Sequence, residues 1–123
     1  MESDELTGLV IGAAIEVHRA LGPGLLESAY EECLAHELKL RDIEFARQVP
    51  LPITYKSIQL DCGYRLDLVV ENRLILELKT VDKLLPIHEA QLLTYLKMTN
   101  TKTGLLLNFN VAVLREGIKR LSN

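Results

Sequence analysis

The clearest pattern in the chain is an alternation of apolar and polar residues between positions 64 and 79. Apolar residues occupy every second position from Tyr64 to Val70, and again from Leu74 to Leu78. A period of two is typical of strands, because successive side chains point to opposite faces of a sheet. Glu71-Asn72-Arg73 separates the two halves. The pattern therefore predicts a β-hairpin.

Three other segments have the apolar spacing of helices. Apolar residues recur three and four positions apart from about residue 4 to 21, from about 25 to 41 and from about 86 to 98. Glycine and proline in Leu21-Gly22-Pro23-Gly24 end the first of these helices. Pro86 suits the first turn of the third.

The remaining segments complete the predicted sheet. Pro50 and Pro52 lack the N–H that a ladder needs, so the strand near them should be short or at an edge. The apolar run from Gly104 to Phe109 predicts a buried strand. The tail from residue 111 to 121 fits either a strand or a short helix. We therefore expect one α/β (α+β) domain over residues 1–123, with a mixed central sheet flanked by helices in the order α-α-β-β-β-α-β.

Composition and charge limit the possible functions. The chain has 123 residues, of which 48% are hydrophobic and 25% charged, which is ordinary for a globular domain. Cys33 and Cys62 are not spaced as a zinc-binding pair. The formal net charge of −3 weighs against nucleic-acid binding, although acids gathered around a metal also lower this sum. The sequence contains no membrane-length apolar run and no secretory signal, so we expect a cytoplasmic protein without a membrane partner.

The hairpin register brings candidate chemistry together. A three-residue connection pairs Val70 with Leu74, so that Asp67 lies opposite Glu77 on one face, while a two-residue turn would separate the two acids. The same count places Arg65 opposite Lys79. We predict the three-residue connection, with Asn72 or a neighbour in the left-handed conformation.

Two close carboxylates repel each other, and a divalent cation relieves that repulsion. Magnesium prefers oxygen ligands and keeps several waters, so Asp67 and Glu77 with the Leu78 carbonyl are enough to hold it. Lys79 shares the face of Glu77 and can stabilise charge on a phosphate that is being attacked. The alternative is an exposed strand face with an ordinary salt-bridge cluster.

The predicted helices supply further polar residues. His88, Gln91 and Tyr95 fall within one arc of the third helix. Glu27 lies at the edge of the apolar stripe of the second helix, one turn before Tyr30 on its buried side, and the Glu27 carboxylate can approach the predicted hairpin. Simpler interpretations are that Glu27 is an acid favoured by the helix dipole, that Tyr30 belongs to the core and that His88 is a surface or capping residue.

Taken together, these motifs resemble one family. Gly24-Leu-Leu-Glu27-Ser-Ala-Tyr30 matches the signature of the bacterial and archaeal GxxExxY protein family, and Ile87-His-Glu-Ala-Gln-Leu-Leu-Thr-Tyr95 and Leu107-Asn-Phe-Asn110 are similar to it as well. That family is placed in the PD-(D/E)XK nuclease superfamily. The resemblance implies a restriction-endonuclease-like core, with Leu66 standing where the motif would have proline.

The resemblance also implies residue roles. Asp67 matches the first motif acid, Glu77-Leu-Lys79 matches (D/E)-x-K, Gln91 with Tyr95 matches Q-x-x-x-Y, and Glu27 matches a helix glutamate that joins the metal site. We therefore expect a nuclease dependent on Mg²⁺ or Mn²⁺ that cuts nucleic acid, DNA more readily than RNA. The expected catalytic residues are Asp67, Glu77, Lys79, Gln91 and Tyr95. The metal would be bound by Glu27, Asp67, Glu77 and Leu78, and the substrate by Tyr30, Lys83, His88 and Lys97.

Two other interpretations remain open from the sequence. The acidic balance is compatible with an inactive module of the same fold that binds nucleic acid or a protein partner. A homodimer is the other, with the apolar strand Leu105 to Leu107 as an interface, although a core strand is the simpler interpretation of that run.

Overall fold

The structure is a computed structural model that describes residues 3–123, apart from the side chain of Ser3, so positions 1 and 2 of the predicted domain lie outside it. Three α-helices are present where the sequence predicts them: α1 is Ser3–Leu21, α2 is Glu27–Leu40 and α3 is Pro86–Thr99. The strands are β1 (Phe45–Pro50), β2 (Ile53–Tyr55), β3 (Ile58–Leu60), β4 (Arg65–Val70), β5 (Leu74–Lys79), β6 (Thr103–Asn108) and β7 (Ile118–Ser122).

Five of these strands form one mixed sheet in the order β1-β4-β5-β6-β7. Strands β5 and β6 are parallel and are joined through α3, while the other neighbours are antiparallel. The predicted fold class and order of main elements are confirmed. Strand β1, which ends at Pro50, lies at an edge of the sheet, as predicted from this proline. The tail contains both a 3₁₀ turn, Leu114–Gly117, and a strand.

Strands β2 and β3 form a separate two-stranded hairpin. Its turn residues Lys56 and Ser57 both have positive φ, as a tight two-residue turn requires. Most of its side chains are exposed. Ile53 of this hairpin lines a cleft together with Lys79 at the end of β5, so the hairpin borders the sheet region next to the predicted acids.

Apolar residues cover both faces of the sheet. Leu74, Leu76 and Leu78 of β5 pack in one cluster with α1 and α2, whereas Ile75 packs in a second cluster with α3. Strand β6 alternates in the same way, and its residues Leu105–Leu107 are fully buried. The preferred interpretation of this strand as a core element is confirmed, and it provides no exposed surface for a dimer.

Asn108 fixes the segment that leads from β5 to α3. Its side chain is 1% exposed. The amide donates to the Val81 carbonyl at 2.9 Å, and its oxygen accepts the Val81 N–H at 3.1 Å. The Phe109 N–H also donates to the Lys79 carbonyl at 3.0 Å. These bonds hold the chain directly after Lys79, and α3 begins from a fixed position. No helix within residues 3–123 is long and apolar enough to cross a membrane.

Candidate active site

The β4–β5 hairpin has the predicted register. Val70 pairs with Leu74 and Leu68 pairs with Leu76, so the connection has three residues. Glu71 and Asn72 both adopt the left-handed conformation, with φ of 52° and 54°. The next position outward places Asp67 opposite Glu77, as predicted.

At Asp67 and Glu77, hydrogen bonds between side chains and backbone replace the backbone hydrogen bonds that join β4 to β5. The Asp67 N–H donates to the Glu77 carboxylate at 2.9 Å, and the Leu78 N–H donates to the Asp67 carboxylate at 2.8 Å. The backbone pairing of β4 with β5 covers residues 68–70 and 74–76. Arg65 is therefore not paired with Lys79, and the prediction made by counting outward from the turn is wrong at this position. On the other side of β4, Arg65 pairs with Pro50 of β1. The two carboxylates occupy a gap where the strands separate.

Strand β4 also rotates about its own axis at Asp67, so that its apolar side chains change from one face of the sheet to the other. Leu68 and Val70 pack in the cluster of α1 and α2, yet Leu66 packs in the cluster of α3. Residues two apart in a regular strand share a face, so the strand rotates between Leu66 and Leu68. This rotation lets helices on both faces of the sheet approach the acid pair.

Gln48 and Glu31 belong to this site, and the sequence analysis missed both. Gln48 stands opposite Asp67, because Arg47 pairs with Leu68 and Val49 with Leu66. It has φ of 51°, and its amide donates to the Glu31 carboxylate at 2.7 Å. Glu31 is only 8% exposed and accepts two further bonds from Arg47, at 3.0 and 2.8 Å.

A sequence signal existed for one of these two residues. Glu31 follows Glu27 by one helical turn, so the two acids share a helix face. No comparable pattern marks Gln48, because a left-handed glutamine within a strand is set by its tertiary contacts.

Burial and mutual repulsion raise the pKa values of these acids. Burial, and then the charge of Asp67, raises the pKa of Glu77 to about 8. Burial is also the main cause that raises the pKa of Asp67, against the hydrogen bond from Leu78. The pKa of Glu27 is raised by burial and then by Asp67, although its side chain reaches solvent. Acids that repel in this way favour a cation between them.

Lys79, Gln91 and Tyr95 lie beside the acid pair. The Lys79 ammonium is 3.4 Å from the Gln91 side-chain oxygen, and its charge lowers the pKa values of Glu27, Asp67 and Glu77. Tyr95 is 6% exposed, and burial followed by the charge of Glu77 raises the pKa of its hydroxyl. The structure thus brings these predicted residues together.

A cleft adjoins this group, and we call it the tyrosine cleft. It has a volume of about 680 Å³ and lies between the β2–β3 hairpin and α3. Its lining includes Tyr64, Tyr95, Ile87, Met98, Lys79, Gln91 and His88. Lys79 and Gln91 therefore face both the acid pair and the cleft.

Three residues assigned to substrate binding lie elsewhere. Tyr30 is fully buried, its ring stacks on Phe109 with centroids 4.5 Å apart, and its hydroxyl bonds to the backbone of residues 22 and 25. The structure therefore places Tyr30 in the core, with no part of its side chain exposed. Lys83 is exposed but lines a different surface depression, and exposed Lys97 is outside the tyrosine cleft.

His88 does line the cleft, but one ring nitrogen is already engaged. Its Nδ1 accepts the Leu85 N–H at 2.9 Å at the start of α3. His88 therefore has the capping role that the sequence analysis gave as the simpler of its two interpretations.

The acids suit a hydrated divalent cation better than a bare one. No group of three or more carboxylate, imidazole or thiolate side chains within residues 3–123 is arranged to hold a metal by itself. The predicted convergence of Glu27 with Asp67 and Glu77 on one point is therefore not observed. Magnesium needs only one or two carboxylates, with waters and a phosphate oxygen completing its shell. Asp67 and Glu77 fit that requirement.

Comparison with known proteins gives one result. A family model described as the PD-(D/E)XK nuclease superfamily matches residues 4–121. No match was found among curated proteins or among solved structures. The match covers nearly the whole chain and includes every residue of the site described above.

Proposed function

Since the chain belongs to the PD-(D/E)XK nuclease superfamily, we propose that it is a metal-dependent nuclease that hydrolyses phosphodiester bonds of DNA. One observation carries the proposal: Asp67 and Glu77 replace the backbone ladder between β4 and β5 and meet in the gap. Two acids buried side by side cost stability when both are ionised, and a cation between them relieves that cost. A purely structural strand pair has no need of that arrangement.

The proposed cation is Mg²⁺ or Mn²⁺, held by Asp67 and Glu77. The Leu78 N–H points into the same gap, and the C=O of a strand residue points to the same neighbouring strand as its N–H. The Leu78 carbonyl would therefore be a third oxygen ligand, and Glu27 of α2 would add a further acid beside them. When bound, the ion activates a water and polarises the phosphate.

Residues on either side of the acids position the substrate. Lys79 stabilises the negative charge that develops on the attacked phosphate. Gln91 holds the Lys79 ammonium in place, at 3.4 Å, and Tyr95 bounds the site on the side of α3. Gln48 orients Asp67 from the side of β1, and Glu31 of α2 holds the Gln48 amide. His88, Lys83 and Lys97 remain proposed contacts to more distant phosphates.

A cleavage assay with matched variants tests this function. Purified protein should cut DNA when Mg²⁺ or Mn²⁺ is supplied and should stop when EDTA is added. Glu77→Gln keeps the size of the side chain but removes the charge, and it should abolish cleavage. Glu89→Gln, on α3 and outside the acid pair, should cut like the unmodified protein.

Membership in the GxxExxY family remains part of the proposal, because it rests on the motif alone.

Two results would contradict the nuclease. Equal cutting by the Glu77→Gln protein would trace the activity to a contaminant. Failure of calorimetry to detect Mg²⁺ or Mn²⁺ binding at millimolar concentration would favour the inactive module of the same fold.

A further inference from the structure

We propose that the tyrosine cleft binds an unpaired nucleobase of a DNA strand, beside the phosphate that is cut. The inference rests on the proposed nuclease function for its location, because the cleft and the acid pair share Lys79 and Gln91. It adds the class of substrate, which is DNA with unstacked bases rather than a continuous duplex.

The walls of the cleft have the chemistry of a stacking site. Tyr64 is 43% exposed, and its ring lies edge-on to Tyr95 with centroids 6.3 Å apart and planes at 63°. Tyr64 therefore keeps a large part of its ring accessible. Ile87 and Met98, exposed by 67% and 39%, line the same space. Exposed apolar side chains grouped beside a polar site mark a binding surface.

Size and polar groups also suit a base. A volume of about 680 Å³ is within the usual range for small-molecule sites. Gln91, Thr94 and His88 line it with groups that can bond to base edges. A base that enters the cleft leaves its phosphate near Lys79, since Lys79 forms the boundary with the acid pair.

The charges disfavour a duplex in this cleft. Proteins that hold duplex DNA neutralise many phosphates with lysine and arginine. Among the described residues that line the cleft, Lys79 alone carries a full positive charge. The nearby Arg65 is 3.8 Å from Asp61 and donates to the Tyr64 carbonyl. Base stacking provides affinity without many cations, which agrees with a formal net charge of −3.

A binding assay separates stacking from phosphate contacts. Fluorescence anisotropy in EDTA, where no cleavage occurs, compares three labelled DNAs: single-stranded oligothymidine, an abasic strand with the same number of phosphates, and a duplex of the same length. Oligothymidine should bind roughly ten-fold more tightly than the abasic strand, as expected for one or two stacked bases. The duplex should bind no better than the abasic strand.

Tyrosine variants assign the effect to the cleft. Tyr64→Ala should weaken oligothymidine binding roughly ten-fold and leave abasic binding unchanged, and Tyr64→Phe should retain binding because it keeps the ring. Tyr55→Ala removes another tyrosine of the same region, 62% exposed and outside the cleft. It should bind like the unmodified protein.

The two proposals fail in different ways. Equal binding of oligothymidine and abasic DNA, or of Tyr64→Ala and unmodified protein, would overturn the nucleobase site even if the protein cuts DNA. Base-dependent binding that is lost in Tyr64→Ala would support the site even if no divalent cation supports cleavage.

Discussion

Gln48 faces Asp67 across β1 and β4 while its backbone is in the left-handed region, with φ of 51°. That conformation costs a non-glycine residue about 1–2 kcal/mol. The contacts of the side chain offset the cost: its amide donates to Glu31 at 2.7 Å, and its hydrogen bond to Asp67 lowers the pKa of that carboxyl. Backbone strain beside a pair of buried acids is characteristic of a functional site.

Two substitutions at Gln48 separate strain from side-chain function. Gln48→Gly and Gln48→Ala both remove the amide, but only glycine removes the left-handed strain. We expect the glycine variant to be more stable than the alanine variant by about 1 kcal/mol in urea unfolding. A bound Mn²⁺ ion should raise Tm, because it binds only the folded protein. Both variants should lose the same share of this rise and of DNA cleavage. Full cleavage by Gln48→Gly would show that the amide does not act on Asp67.

The proton on Glu77 predicts how stability depends on pH in metal-free protein. Its pKa is about 8 in the folded chain against an ordinary value of 4.5. Between these values the folded state holds a proton that the unfolded state releases, so stability is greatest at the acidic end and falls as pH rises through 8. In EDTA we expect the free energy of unfolding to fall by on the order of 3 kcal/mol between pH 5 and pH 8, which lowers Tm by roughly 10 °C.

The control for this pH dependence is Glu77→Gln, which cannot ionise. Its Tm should change much less between pH 5 and pH 8, measured by differential scanning calorimetry, with Glu89→Gln retaining the original slope. An unmodified protein whose Tm rises over this interval would contradict a protonated Glu77.

The acid pair was predictable because local geometry sets it. A three-residue connection fixes Val70 opposite Leu74, and the period of two then places Asp67 and Glu77 on one face. Three- and four-residue spacing likewise located the three helices. These features depend on neighbours in sequence, which a pattern records.

The features that the sequence left open or missed depend on contacts between distant segments. Tyr30 lies on the apolar stripe of α2, and its full burial follows from stacking on Phe109, 79 positions away. The rotation of β4 at Asp67 and the left-handed Gln48 arise where β1, β4 and α2 meet. Propensity and periodicity do not contain that information, so the sequence could not show that Gln48 and Glu31 join the acids while Tyr30 turns into the core.

Lys79 should be needed for cleavage but not for metal binding. Lys79→Met removes the ammonium that stabilises the attacked phosphate, and cleavage should fall by roughly 100-fold. The Mn²⁺-induced rise in Tm should persist, because the substitution removes a positive charge beside the acids. Lys119→Met, on an exposed position of β7, serves as control. Loss of both properties would assign Lys79 to the structure of the metal site instead.

Tyr30 should affect stability and leave catalysis unchanged. Its hydroxyl donates to the Gly22 carbonyl and accepts the Leu25 N–H at 3.2 Å, so Tyr30→Phe keeps the stacked ring but leaves both backbone groups without this partner. We expect a loss of about 1–2 kcal/mol in urea unfolding, with kcat/KM for DNA cleavage within roughly two-fold of the unmodified protein when measured well below Tm. A fall in kcat/KM at unchanged stability would return Tyr30 to substrate binding, the role that its position in the G-x-x-E-x-x-Y motif first indicated.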